Sequence, residues 1–161
     1  MGIECTLVEL AEEDVKRGSI KDAEQLRLGK TWDALEQLLA FEAPELAHAI
    51  HGQKGRKWGP PSAFGQGRLL APAQVQSLAI RLRAVDLEGV IAHYSKLDAE
   101  SVHGRFGPKP GAPTEYDDVL AEFEDVEERE EREFLLGKLE ELVAFYRGAA
   151  LREDSVFINV T

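Results

Sequence analysis

Leu135-Leu136-Gly137-Lys138-Leu139-Glu140-Glu141-Leu142-Val143-Ala144-Phe145-Tyr146, followed shortly by Val156-Phe157-Ile158-Asn159-Val160, is the stretch that decides the fold. In its first part Leu135, Leu139, Leu142, Val143 and Tyr146 recur at spacings of four and three, which predicts a helix with one core-facing stripe. In its second part Val156, Ile158 and Val160 alternate with Phe157 and Asn159, which predicts a strand. At the other end of the chain Ile3, Cys5 and Leu7 alternate with Glu4 and Thr6, and Val8 and Leu10 follow, so the chain also begins with a strand. An isolated strand leaves its backbone groups unpaired, so the two termini are expected to meet in one sheet. The fold class is α+β: a single domain over residues 1–161, mostly helical, with a small mixed sheet that includes the N- and C-terminal strands.

Between these ends the helix signals are dense. Glu12 to Arg17 reads as a short helix stopped by Gly18. Ser19 with Asp22 resembles a capping box and predicts a helical piece running towards Leu28. Thr31 is a good N-cap for a helix carrying Trp32, Leu35, Leu38 and Leu39 on one face. Ala43 to His51 is a further short helix with Gly52 past its end. Pro72 suits a first helical turn, and Val75, Leu78, Ala79, Leu82 and Val85 form the stripe behind it. Asp86 caps a helix bearing Leu87, Val90, Ile91 and Tyr94, and Asp98 another that ends at Gly104. Gly107, Pro108, Pro110, Gly111 and Pro113 make residues 104–114 a loop. The last helix begins between Thr114 and Asp118 and runs to about Ala150, with a break expected near Glu127 to Glu131.

Residues 52–68 differ in character. Gly52, Gly55, Gly59, Gly65, Gly67, Pro60 and Pro61 are interspersed with Lys54, Arg56, Lys57 and Arg68. The segment reads as a basic loop of functional length, with Gly67 to Leu70 as a short strand at its end. Trp58 and Phe64 add aromatic faces, the combination used by single-strand binders. Its glycines lack the spacing of a phosphate-binding or dinucleotide motif.

The charge is unevenly spread. Eleven acids between Glu115 and Glu133 face only Arg129 and Arg132, so this segment carries nine of the chain's net eleven negative charges. Repulsion so concentrated steers partners. It disfavours duplex nucleic acid, whose phosphates it repels, and favours a basic protein. Glu122, Asp125, Glu127, Glu128, Glu130 and Glu131 are the candidate partner-binding residues. A dense exposed acidic run does not provide the desolvated setting that a catalytic carboxylate needs.

A lone Cys5 excludes an internal disulfide and fits a reducing cytoplasm. Cys5 itself lies mid-strand and is expected to be buried and inert. No apolar run reaches membrane-spanning length. Met1-Gly2-Ile3-Glu4-Cys5-Thr6 matches a myristoylation template, but Glu4 and the lack of a polybasic patch favour a first strand over a membrane anchor. His48 and His51 stand three apart, without an evident third ligand, so no metal is assigned. Ser62 and Ser77 lack a nucleophile-elbow setting. No catalytic residue and no cofactor are assigned.

Leu28-Gly29-Lys30-Thr31-Trp32-Asp33-Ala34-Leu35 resembles the "D-K-x-W-x-x-L" segment of the bacterial YfbM-like family. Gly67-Arg68-Leu69-Leu70-Ala71-Pro72 is similar to its "R-x-L-x-P" entry to a helix. Leu142-Val143-Ala144-Phe145-Tyr146-Arg147 is similar to its "L-x-x-x-Y-R" helix, with Val156 to Val160 as the closing strand. Gly29 stands where an acid is usual, and Val102-His103-Gly104 replaces a "Y-P-G"-like turn. The resemblance implies one α+β domain with many helices and few strands, and no settled activity. It draws attention to Lys30, Trp32, Asp33, Arg68 and Tyr146 as a possible ligand groove for a small molecule, edged by an indole and with Arg68 to receive an anion. The first functional expectation is a non-catalytic module, such as an immunity or inhibitor protein, presenting its acidic face to a basic partner. The alternative is a small-molecule binding protein or enzyme using that groove.

Overall fold

The computed structural model describes residues 4–20, 23–62, 65–97 and 117–161, with side chains in the last segment described from Glu128 onward. Strand β1 (Cys5–Leu10) and strand β5 (Ser155–Val160) pair antiparallel, with Cys5 opposite Val160 and Leu10 opposite Ser155. The termini therefore share the centre of the sheet, as their alternation predicts. Strands β2 (Gln25–Gly29), β3 (Arg56–Ser62) and β4 (Gly65–Leu70) complete the order β2-β1-β5-β4-β3. The sheet, expected to be mixed, is antiparallel at all four pairings.

Alternation places the two faces in different cores. Cys5, Leu7, Leu70, Val156 and Ile158 join the main cluster. Val8, Leu10, Leu69 and Phe157 form a smaller cluster. The main cluster also takes the inner faces of α2 (Trp32–Glu42), α4 (Pro72–Ala84), α5 (Leu87–Ile91) and α6 (Asp117–Leu151). Leu135, Leu139, Leu142 and Tyr146 of α6 are fully buried there, so the stripe at four-and-three spacing is the seam between that helix and the core. Smaller helices, α1 (Glu12–Arg17) and α3 (His48–His51), end on Gly18 and Gly52, both in the left-handed region that glycine adopts freely. Asp86 caps α5 as expected, accepting from the Glu88 N–H at 3.2 Å.

Three expectations need correction. The helix expected between Ser19 and Leu28 is replaced by β2. Gln25, Leu26 and Arg27 pair with Val8, Leu7 and Thr6, because β1 needs a partner on its second edge. The basic loop of residues 52–68 contains a hairpin, in which Arg56 pairs with Leu69 and Ser62 with Gly65. Pro60 and Pro61 are tolerated because β3 is an edge strand. Helix α6 continues without a break through Glu127 to Glu131. The helix expected from Asp98 to Gly104 and the loop of residues 104–114 lie outside the described residues.

Candidate functional site

Hairpin β3–β4 builds the most polar cleft described in the molecule. Lys57 and Arg68 are directly opposed across the two strands, and Arg68 in turn opposes Ile158 on β5. Directly opposed residues project to one face, so two cations share a side of the sheet. His51, at the end of α3, faces them. Together with Gly65, Gln66, Gly67, Ile158 and Val160 they line a cleft of about 330 Å³. Gly52 lets the chain pass tightly over Arg68: a Cβ there would lie 3.1 Å from Arg68 Cβ and 2.8 Å from Ile158 Cδ1. Gly67 is needed for the same reason on the other face, where a Cβ would fall 2.3 Å from the Phe157 ring.

The polar groups of this cleft are weakly engaged. Arg68 donates one bond of 3.3 Å to the Gly55 carbonyl. Among the described residues neither Lys57 nor Arg68 forms an ion pair. The Gln53 N–H donates to His51 Nδ1 at 3.0 Å, which leaves Nε2 to carry the proton of the neutral ring. Burial, and then the neighbouring His48, push the His51 pKa down to about 4. The arrangement offers two fixed positive charges and an imidazole N–H, a donor set suited to an anion.

A second cleft of about 250 Å³ lies on the other side of the histidines. Glu45, His48, Lys54, Leu70, Ala73, Gln74, Ser77, Leu78 and Arg81 line it. The rings of His48 and His51 meet edge to face, 4.5 Å between centroids. His48 Nδ1 is buried without a hydrogen-bond partner. Its pKa is lowered by burial and then by Lys54, against the opposing pull of Glu45. Among the described residues no group of three or more His, Cys, Asp or Glu side chains is placed to hold a metal ion.

The groove residues suggested by sequence do not converge. Tyr146 is 0% exposed, and its hydroxyl donates to the Ala49 carbonyl at 2.6 Å. Burial raises its pKa well above the usual value. This ring is core and has no face left for a ligand. Asp33 is 7% exposed, and its Oδ1 accepts from the Ala34 N–H at 2.9 Å at the start of α2. Trp32 is half-buried against the main core, and Lys30 is exposed. Thr31, the expected cap, instead donates its hydroxyl to the Leu28 carbonyl at 2.8 Å. Arg68 alone of the five lines a described cleft, and its neighbours there are hairpin and β5 residues.

Trp58 packs edge-on against Phe157, 4.9 Å between centroids, so part of its surface serves the smaller core. Phe64 lies outside the described residues. Cys5 is enclosed, and burial pushes its thiol up to about 12, as expected of an inert strand cysteine.

Within the acidic candidates, the side chains of Glu122, Asp125 and Glu127 lie outside the described residues. Glu128 pairs with Arg132 at 2.9 Å, and Arg132 lies 5.0 Å from the Tyr94 ring centre. Glu131 accepts from the Tyr94 hydroxyl. Glu130 and Glu133 are exposed, as is Phe134 at 49%.

One charged cluster escaped sequence reading. Glu9, with its side chain 5% exposed, accepts from Arg152 Nε at 2.5 Å and Nη2 at 2.9 Å. That bidentate bond and a hydrogen bond with Asp154 hold Glu9 below the usual carboxylate range despite its burial. Burial, and then the bond to Glu9, raise Asp154 to about 6. These partners lie 143 residues apart, so no local motif announces them.

The family described as Domain of unknown function (DUF1877) matches residues 1–159. The fold is similar to that of a solved protein of unknown function, YfbM from Escherichia coli, with a TM-score of 0.65 and 16% sequence identity. The match covers 98% of this chain and 99% of that one. No curated protein matches the chain. Among the described residues no helix is long and apolar enough to cross a membrane. The YfbM-like resemblance carried by the Trp32, Arg68 and Tyr146 segments is thus upheld, and this chain belongs to the DUF1877 family, a domain of unknown function.

Proposed function

We propose that this domain is a binding module for an anionic ligand, received by Lys57, Arg68 and His51. The observation that supports it is the direct cross-strand pairing of Lys57 with Arg68. Like charges set opposite each other destabilise a sheet. Here no described acid relieves them, and both line one cleft. A bound anion converts that repulsion into two charge-assisted hydrogen bonds, each contributing about 1.5–3 kcal/mol.

Titration calorimetry with inorganic phosphate tests this reading. Arg68→Met and Lys57→Met are each expected to weaken binding by about tenfold or more. Equal affinity in all three proteins contradicts it. The order of classes reverses the sequence ranking, because the acidic segment spends Glu128 and Glu131 on internal partners.

A basic protein partner is the second reading. Phe134 stands half-exposed beside exposed Glu133 and Glu130, and so supplies an apolar anchor within an acidic rim. Changing Glu127, Glu128, Glu130 and Glu131 to Gln should then weaken capture of that partner. Capture that is unchanged by these substitutions removes this reading.

A further inference from the structure

The geometry points to the outward face of α6 as an interface for a second copy of this chain. The two helices pack antiparallel about a twofold axis between Val143 and Ala144, and Glu140 of each protomer meets the partner's Arg147. This does not draw on the anion-binding reading.

Helix α6 buries one stripe and turns another outward. Leu135, Leu139, Leu142 and Tyr146 are in the core. Glu140, Ala144, Arg147 and Leu151 recur at spacings of four and three on the opposite side, and all four are exposed. Leu151 is 76% exposed, the most of any large apolar side chain described. A single exposed leucine needs no explanation. This one borders a groove of about 360 Å³ that Leu87, Val143, Ala144 and Gly148 line together with Glu140 and Arg147. An apolar surface gathered in one place and edged by charge is the pattern of a contact site.

The two charges indicate what covers it. Glu140 and Arg147 stand two helical turns apart, about 10 Å along the axis. Among the described residues neither enters an ion pair. They lie equally far from the point between Val143 and Ala144, one before it and one after. Such a surface matches itself after a half turn, as a twofold interface requires. Two Glu140–Arg147 contacts form at once, Ala144 sits at the centre, and Leu151 falls against the partner's Leu136. A basic protein on the same face would leave Arg147 opposed by like charge. The antiparallel sense also suits the rest of the helix, where acids crowd the portion up to Glu133. Parallel helices would set these acidic runs side by side, whereas antiparallel ones send them to opposite ends. The shared face from Leu136 to Leu151 is about 24 Å long. That is at the small end of specific interfaces, roughly 1,200 Å² or less in total, so a dimer that dissociates on dilution is expected.

Sedimentation velocity of the full chain over a dilution series tests this. The wild type should pass from dimer to monomer as it is diluted. Glu140→Arg and Arg147→Glu each place two like-charge contacts in the dimer and should raise its dissociation constant about tenfold or more. An equimolar mixture of these two variants restores both opposite-charge contacts and should associate as the wild type does. Leu151→Asp, at an exposed position, should weaken the dimer similarly and serves if a charge variant does not fold. A wild type that is monomeric up to about 1 mM overturns the inference and leaves the face to a different partner. A dimer unchanged by all three substitutions, or two folded charge variants that fail to associate when mixed, overturns it as well.

Discussion

Glu9 with Arg152 and Lys57 with Arg68 are two charged pairs set on the same sheet, and they are treated in opposite ways. Glu9 lies deep, and a bidentate guanidinium satisfies it. Lys57 and Arg68 repel each other across a ladder and have no described counter-charge. The first pair ties β1 to the turn between α6 and β5, so its charges serve the fold. The second pair weakens the hairpin it sits on, which the fold alone does not require. Removing one partner from the buried, matched pair leaves an uncompensated charge, whereas the proposed reading gives the unmatched pair in the cleft to an incoming anion.

Breaking the first pair should have the largest effect. Arg152→Met leaves Glu9 buried without its cation. The arginine side chain is half exposed, so solvent screening tempers the loss, which is read as a lower midpoint in urea unfolding. An unchanged midpoint means that Glu9 is solvated in the folded protein and that the contrast fails.

The hairpin's seat comes next. Gly67→Ala drives a Cβ into the Phe157 ring and should cost about 1–2 kcal/mol, with loss of phosphate binding because Arg68 shifts with the strand. The double change Lys57→Met with Arg68→Met should do the reverse to stability. Relief of the repulsion leaves the midpoint equal or raises it by about 0.5 kcal/mol, while phosphate binding is lost. A clear drop in stability would show that these cations serve the fold after all.

The two sites should also titrate with opposite sign. His51 falls from its usual 6.5 to about 4 in the folded protein, so the unfolded chain takes up the proton first. Its contribution to stability is complete above about pH 6.5 and is lost as pH falls towards 4. Asp154 rises from 3.8 to about 6, so the folded protein holds that proton more tightly. Its contribution is present below pH 3.8 and is lost as pH rises through about 6, with Glu9 titrating as part of the same pair. Unfolding free energies measured from pH 4 to 8 should lose their acid-side decline in His51→Gln and their decline near pH 6 in Asp154→Asn. If both variants follow the wild-type curve, these groups do not report on folding.

What could be read from the sequence divides along the same physical line. Periodic features were legible: the alternation at both termini gave the central strands, and Leu135, Leu139, Leu142 and Tyr146 gave the buried face of α6. The hairpin was hidden because Gly59, Gly67, Pro60 and Pro61 carry the composition of a loop, whereas here they answer to the Phe157 ring and to an edge position. The Ser19–Asp22 capping pair misled because β1 needed a second neighbour, a demand that lies outside any local window. Arg68 was expected to receive an anion beside Lys30, Trp32 and Asp33, whereas it lines the hairpin cleft with Lys57 and His51. Tyr146 was placed beside it because residue type does not reveal that a hydroxyl is spent on Ala49 in the core. Glu9 and Arg152 could not be paired at all from positions at opposite ends of the chain.

The most direct test follows the His51 ring by nuclear magnetic resonance as inorganic phosphate is added, in the wild type and in the Lys57→Met, Arg68→Met double variant. An anion in this cleft favours the protonated ring. The account therefore predicts a saturable shift and a rise of the His51 pKa from about 4 in the wild type, both absent in the double variant. No saturable shift in the wild type, or the same shift in both proteins, would contradict it.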